Sequence, residues 1–396
     1  MGLESPGDGV PLGWSPSGME SLFLLFHIQY HLFTMTNLTI KLYVAIFIDS
    51  ARSIPVIDVR SPKEFLQGHI PGAVNLPLFS DEERAVVGTT YTKKGKDAAL
   101  LAGLDFVGPK MVDFVKTARK HARNNEVLVH CWRGGMRSEA MAWLFRFAGL
   151  QTSVLEGGYK AYRRFIRESL AAGPELIVLG GMTGSGKTEL LHFLEEQGEQ
   201  VLDLEALANH KGSAFGALGQ PEQPANEQFE NDLAAKWLTF DPDKPVWLED
   251  ESLNIGKVII PDVLFQRMSK APLVLIDVPF EDRIERLTLD YGTFDVAALA
   301  EILQKISRRI GNEMAGFAID ALNAGDVKTA VSTVLRYYDK TYEYGLSKRN
   351  FKDIKKVNFA EFRKVFAELR WKIETGNWKL ESINLNQEPG TWNPEH

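Results

Sequence analysis

Cysteine is almost absent from this chain: one thiol, Cys131, stands among 396 residues. That excludes internal disulfides and cysteine-ligated zinc or iron–sulfur centres. The histidines number eight and are scattered without metal-ligand spacing. Also missing is a hydrophobic run long enough for a membrane. The most apolar stretch, residues 19–33, falls short of the ~20 residues that a spanning helix needs, and it carries His27 and His31. No basic region precedes it and no small-residue cleavage site follows, so a secretory signal is not expected. Met35 stands just ahead of an apolar stretch at 38–48 that reads as a strand. Residues 1–34 are therefore expected to be a disordered extension, and the setting a reducing, cytoplasmic one. Positive charge is in short supply too, with 45 Lys and Arg against 52 Asp and Glu and a net charge of −7. This argues against a protein that coats nucleic acid, but not against a local basic surface that docks one RNA.

What is present fills two domains or more, since the length is over twice the usual ~150 residues per domain. From Thr36 onward, short apolar strands alternate with helical stretches, the pattern of an α/β unit with a parallel sheet. The chemistry concentrates in His130-Cys131-Trp132-Arg133-Gly134-Gly135-Met136-Arg137-Ser138. Val127 to Val129 read as a buried strand, the glycines let the backbone curl so that N–H groups point inward, and a helix starting at Ser138 turns its positive end toward the loop. Such a nest binds anions. Arg133 and Arg137 add fixed positive charge that suits Cys131 as a nucleophile or group carrier.

The segment Val56 to Phe65 followed by Gly68-His69-Ile70-Pro71-Gly72-Ala73 reads as a strand, a capped helix and a tight turn into another strand. With the Cys131 loop and Leu155-Glu156-Gly157-Gly158-Tyr159, it resembles the rhodanese domain over residues 36–170. The resemblance implies that Asp58, Arg60, Glu64 and His69 brace the loop. Five residues separate Cys131 from Arg137, one more than ordinary rhodaneses have, and this His-Cys-x5-Arg-Ser spacing coincides with that of cysteine phosphatases. A phosphate-sized anion should therefore fit, either a phosphoester or a phosphate carrying sulfur or selenium.

After Gly173-Pro174, a second apolar strand at 176–179 runs into Gly181-Met182-Thr183-Gly184-Ser185-Gly186-Lys187-Thr188 and then an amphipathic helix. This is a P-loop in its proper strand-to-helix context. Backbone N–H groups around Gly181, Thr183, Gly184, Ser185 and Gly186 cradle a di- or triphosphate, Lys187 neutralises its terminal oxygens, and the Thr188 hydroxyl can ligate Mg²⁺. The motif alone leaves open whether the phosphates belong to a nucleotide. For the acidic partner, Asp203 and Asp250 rank above Asp277, with Asp250 as a second Mg²⁺ ligand; helix capping is the bland reading of each. Asp277-Val278-Pro279 leads into a helix with Arg283 and Arg286, as in small P-loop kinases.

In order, "HCWRGGMRS", "GMTGSGKT", "DLEALANHKGSAFG" and "WLEDES" closely resemble the tRNA 2-selenouridine synthase family over residues 36–370. The resemblance implies a transferase that exchanges the sulfur of wobble 2-thiouridine for selenium from selenophosphate, by way of an S-geranyl intermediate made with geranyl diphosphate. It also implies a tRNA anticodon stem-loop as partner, and a selenophosphate-delivering enzyme would be a second. The expected layout is an extension at 1–34, a rhodanese-like domain at 35–172, a P-loop domain with a helical C-terminal part at 173–375, and a tail at 376–396. Candidate RNA contacts are Lys93, Lys94 and Lys96 in a flexible basic loop, and Arg308, Arg309, Lys348 and Arg349 beside interleaved tyrosines, which at helical spacing are equally packing residues. Two rivals remain at this level: a cysteine phosphatase fused to a small-molecule kinase, and a non-catalytic rhodanese and P-loop regulatory module.

Overall fold

The computed structural model describes residues 39–374. The expected extension at 1–34 and tail at 376–396 lie outside the described residues. The chain forms two compact units, one comprising residues up to Phe65 with Gly72–Tyr162, the other Leu66–Pro71 with Arg163 onward.

The first unit runs β1 (Ile40–Leu42), α1 (Val44–Ser50), β2 (Val56–Asp58), α2 (Pro62–Gln67), β3 (Val74–Asn75), α3 (Asp81–Lys94), α4 (Lys96–Val107), α5 (Met111–His121), β4 (Glu126–His130), α6 (Met136–Phe147) and β5 (Gln151–Leu155). Its five strands are all parallel, in the order β1-β5-β4-β2-β3. The middle strand β4 is apolar because helices cover both its faces, and it ends at the cysteine loop. Val127, Val129, Met141, Phe145 and Val154 lie in the core beside it.

Two sequence readings are corrected here. The apolar run at 38–48 is not one strand: only Ile40–Leu42 pair with β5, and Val44–Ser50 coil into a helix that buries Phe47 fully. A short apolar run cannot separate the two by periodicity. The basic stretch at 87–96 is not a flexible loop. Ser80 and Glu83 form a reciprocal capping box that starts α3, and the helix continues to Lys94 before Gly95 turns the chain into α4.

Helix α7 (Gly158–Ala171) leads into the second unit, which continues β6 (Leu176–Gly181), α8 (Lys187–Glu196), β7 (Gln200–Leu202), α9 (Leu204–Ala208), α10 (Asn226–Trp237), β8 (Val246–Glu249), the hairpin β9 (Asn254–Ile255) and β10 (Val258–Ile259), α11 (Asp262–Met268) and β11 (Leu273–Asp277). A helical stretch follows, α12 (Phe280–Tyr291), α13 (Val296–Ile310), α14 (Asn312–Asn323) and α15 (Val327–Ser347), then β12 (Ile354–Asn358) and α16 (Phe359–Glu374). The parallel sheet has the order β12-β11-β6-β8-β7, so the strand feeding the P-loop is central. Alternation along β6 sends Leu176 and Val178 into one core layer, and Ile177 and Leu179 into the other with Leu190, Leu191 and Leu194 of α8. Burying each such leucine contributes about 2 kcal/mol, which anchors the helix whose first turn carries Lys187 and Thr188.

Candidate functional site

The cysteine loop spans the step from β4 to α6. Helix α6 starts at Met136, so Arg137 and Ser138 already belong to its first turn. Cys131 is 3% exposed; its Sγ lies 3.2 Å from the Ser138 hydroxyl, which itself donates to the Gly135 carbonyl at 3.0 Å. The back of the loop is pinned by backbone bonds from Tyr159 N–H to Cys131 O (2.8 Å) and from Lys160 N–H to Trp132 O (3.0 Å). Gly158 takes φ +61°, and a Cβ there would collide with Cys131 O and Gly134 N. That close backbone approach explains the glycine at 158, while Gly157, at φ +70°, has Ala161 where its own Cβ would lie.

Beneath the loop, Arg60 and Asp58 are fully buried. The guanidinium makes a two-pronged contact with the carboxylate, 2.6 Å at its shortest, and lies 3.8 Å from the Tyr159 ring centroid. Burial pushes the Asp58 carboxyl up, but His130 and Arg60 outweigh it and hold it below its usual range. Glu64 is likewise lowered, burial being overcome by Arg137, whose guanidinium donates to it at 2.7 Å. So Arg137 stands at the loop already oriented by a carboxylate, while Arg133 is exposed. Asp58, Arg60 and Glu64 all lie under or beside the loop. The backbone of His69 bonds within the second unit, its N–H donating to Gln228 at 2.8 Å and its carbonyl accepting from Asn231 at 2.8 Å.

The P-loop occupies the step from β6 to α8. Lys187 Nζ donates to Gly181 O at 3.0 Å, the Thr188 hydroxyl is 3.5 Å from Glu205 Oε2, and Ser185 is buried. The acidic residues near it differ from those ranked on sequence. Asp203 caps α9, accepting from Ala206 N–H at 2.7 Å. Asp250 is buried and holds Arg349 in a two-pronged ion pair, 2.9 Å on one arm, while accepting a 2.8 Å bond from the Tyr342 hydroxyl. Asp250 is thus already engaged by a cation. Asp277 faces Lys356 at 3.3 Å.

Lys187 acts on Glu205 and Glu251, and Glu249 stands behind them against Glu205; sequence reasoning missed all three. Glu249 Oε1 accepts from Glu205 N–H at 2.7 Å. Burial, followed by the charges of Asp203 and Glu205, raises Glu249 well above the usual range. Burial and the neighbouring Glu205 push Glu251 to about 8, with Lys187 opposing. Glu205 is raised too, chiefly by burial. At neutral pH Glu251 therefore keeps its proton and can donate it to Glu205. Among the described residues, no group of three or more His, Cys, Asp or Glu is arranged to hold a metal ion. The available sequence signal was the pair of segments DLE and LEDE at two strand ends.

Other candidates are dispersed. Lys93 and Lys94 lie in the last turn of α3 and Lys96 opens α4, all exposed; Arg308 and Arg309 are exposed in the last turn of α13. Lys348 is exposed, with its ammonium 5.0 Å from the Tyr344 ring centroid. Arg349, expected to face RNA, instead turns inward to Asp250. Tyr342 accepts from Gly181 N–H at 2.9 Å and Tyr338 from Ala214 N–H at 3.2 Å, so these two are packing residues. Arg283 does not reach toward a phosphate: it forms a bidentate pair with Asp339 and donates to Thr183 O. Arg286 pairs with Glu189 at 3.1 Å.

Residues 174–371 match the family model described as tRNA 2-selenouridine synthase AAA domain, and residues 45–165 match the rhodanese-like domain. The chain is 34% identical over 363 residues to the tRNA 2-selenouridine synthase of Psychromonas ingrahamii, covering 83% of this chain and 95% of that protein. It is 35% identical over 335 residues to the Shewanella frigidimarina protein of the same description, covering 74% and 89%. Against the Nitrosomonas europaea protein, also so described, identity is 40% over 251 residues, 60% of this chain and 63% of that relative. The last match spans less than two thirds of the relative's length.

Proposed function

Since the chain belongs to the tRNA 2-selenouridine synthase family, we propose that it converts wobble 2-thiouridine in tRNA to 2-selenouridine by two group transfers, one at each anion cradle. The observation that carries this division is the pair of strand-to-helix loops: one offers a nucleophilic sulfur beside arginines, the other a lysine and a phosphate cradle with no nucleophile.

In the first transfer, geranyl diphosphate lies with its diphosphate in residues 181–188. The thiocarbonyl sulfur of the base attacks the first carbon of the chain, a C–S bond forms, the C–O bond breaks, the N3 proton of the base passes to water, and diphosphate departs against Lys187 and the backbone donors. Thr188 and Glu205 are the oxygen donors that would hold a Mg²⁺, which would neutralise charge on the leaving diphosphate. Alkylation turns sulfur at C2 from a poor leaving group into a good one.

In the second, selenophosphate binds as a tetrahedral anion in the Cys131 loop with Arg137 and Arg133 as counter-charges. Attack of the Cys131 sulfur on phosphorus forms S–P as P–Se breaks, and the released hydrogenselenide displaces geranylthiol from C2; water then hydrolyses the thiophosphate. The tRNA is held through its anticodon stem-loop by Lys93, Lys94, Lys96, Arg308, Arg309 and Lys348, in the cytoplasm, with a selenophosphate-making enzyme as upstream partner. No helix among the described residues is long and apolar enough to cross a membrane.

The test is incubation of purified protein and 2-thiouridine tRNA with selenophosphate, geranyl diphosphate, both or neither. Selenouridine only with both, and geranylated tRNA with geranyl diphosphate alone, is the expected result. Release of phosphate from aryl phosphates without any change in tRNA would support the phosphatase and kinase reading instead.

A further inference from the structure

Helix α6 begins in the cysteine loop, and its buried side is complete: Met141, Ala142, Leu144 and Phe145 pack inward. The opposite side of such a helix is ordinarily polar. Here Met136, Ala140, Trp143 and Phe147, three or four residues apart, form an apolar stripe facing solvent, with Met136 54% exposed, Trp143 50% and Phe147 75%. The two rings stack on one another, their centroids 5.6 Å apart and their planes 18° from parallel. Large rings that the core does not use and that water does not favour mark a contact surface.

Size and charge select the partner. Met136, Trp143 and Phe147 expose roughly 400 Å² between them, about half of what each side of a standard protein–protein interface buries, so the stripe is too small to hold a second copy of the chain by itself. Cations stand at both of its ends. Arg133 is exposed in the loop just before Met136, and Arg119 of α5 is anchored at the far end, where its guanidinium donates to Ala148 O at 2.7 Å. The carboxylate that α6 carries, Glu139, is neutralised by Lys41 at 2.7 Å. Flat rings flanked by guanidinium groups suit a nucleobase and its phosphates. Distance agrees: Trp143 lies about 10 Å and Phe147 about 17 Å along the axis from Met136 at the cysteine loop, a span of a few nucleotides.

We propose that the outer face of α6 is a landing surface for the RNA substrate, on which an unpaired base neighbouring the wobble position stacks against Trp143 and Phe147 while Arg119 meets a flanking phosphate. The proposal rests on the reading that the chain acts on tRNA, and deepens it by assigning the surface that recognises the single-stranded part of that substrate. A ring can stack only on a base whose face is free, so this surface distinguishes a loop from a duplex.

The experiment measures binding of two labelled RNAs to the full chain by fluorescence anisotropy: an anticodon stem-loop, and the same stem closed by a non-nucleotide linker, which keeps the paired phosphates but has no unpaired base. Replacing both rings, Trp143→Ala with Phe147→Ala, should weaken the stem-loop about tenfold or more, leave the linker-closed stem within twofold, and leave the salt slope unchanged because no phosphate contact is lost. Trp143→Tyr with Phe147→Tyr should stay within threefold of wild type for the stem-loop. Arg119→Glu should flatten the salt slope. Unchanged stem-loop affinity in the alanine variant, or equal losses for both RNAs, overturns the α6 assignment alone. So does a wild-type dimer in sedimentation equilibrium that the alanine variant dissolves without losing stem-loop affinity, since the face then belongs to a second copy. If wild type binds neither RNA at low salt, the tRNA reading itself fails.

Discussion

The two loops are the same backbone device put to opposite electrical use. Each follows the middle strand of a parallel sheet, turns on glycines and ends at a helix N-terminus, so each presents inward N–H groups to an anion. Around Cys131 the fixed cations are arginines, and the carboxylates are held below their usual range, Asp58 by His130 and Arg60 and Glu64 chiefly by Arg137. Around Lys187 a single ammonium faces carboxyl groups that burial and mutual repulsion keep protonated. On the proposed reading, backbone geometry selects the class of ligand and the neighbouring charges decide whether the site attacks it or lets it leave.

Cys131→Ser should break this contrast most severely. Selenium incorporation should fall by ~10³-fold or more, because a hydroxyl is a far weaker nucleophile than a thiolate, and geranylated tRNA should accumulate on chromatograms of digested tRNA. Retained selenation would remove Cys131 from the chemistry. Next in size, Lys187→Ala should slow geranylation ~10²-fold by deleting a charge contact to the departing diphosphate, and tRNA geranylated beforehand should restore selenation. Failure of that rescue would place Lys187 in the second transfer as well.

Reversing Lys93 and Lys94, or Arg308 and Arg309, to glutamate should weaken tRNA binding about tenfold at low salt and flatten the salt dependence, with pyrophosphate binding unchanged. An unaltered salt slope would mark these as ordinary solvated helix ends. The smallest effect concerns pH. Glu251 titrates at about 8 in the folded state against an ordinary 4.5. The folded protein thus holds an extra proton between those values, and stability falls as pH rises through that window. Glu251→Gln should reduce the loss, narrowing the difference in melting temperature between pH 5 and pH 8.5 by about 2–4 °C for each ~1 kcal/mol recovered. An unchanged difference would mean the Glu251 proton is not linked to folding.

Both loops were legible in the sequence because each is local: strand, glycines, functional side chain and helix follow one another within a dozen residues or so. Asp58, Arg60 and Glu64 could be assigned as braces only through the rhodanese resemblance, since nothing local says that an arginine two residues after an aspartate will be buried with it against a tyrosine. What escaped is what the fold assembles from afar. Glu205 and Glu251 meet at the P-loop from the ends of different strands, and Arg349 reaches Asp250 across 99 positions. Helix α3 was hidden for another reason. Gly88 and the threonines around it weaken the local helical signal, and the capping box at Ser80 and Glu83 outweighs them.

The bond from Gly181 N–H to Tyr342, 161 positions later, sets an order of events during synthesis. Every strand of the first unit has been made by Leu155, so its sheet and cysteine loop can settle while translation continues. The P-loop emerges soon afterward but waits for Asp339, Tyr342 and Arg349 before Arg283 of α12, the end of β6 and Asp250 are locked. A ribosome stalled just before Asp339 should therefore carry a protease-resistant first unit and a cleavable second one. Pulse proteolysis of such stalled chains would reveal a protein that acquires its sulfur chemistry well before its phosphate chemistry.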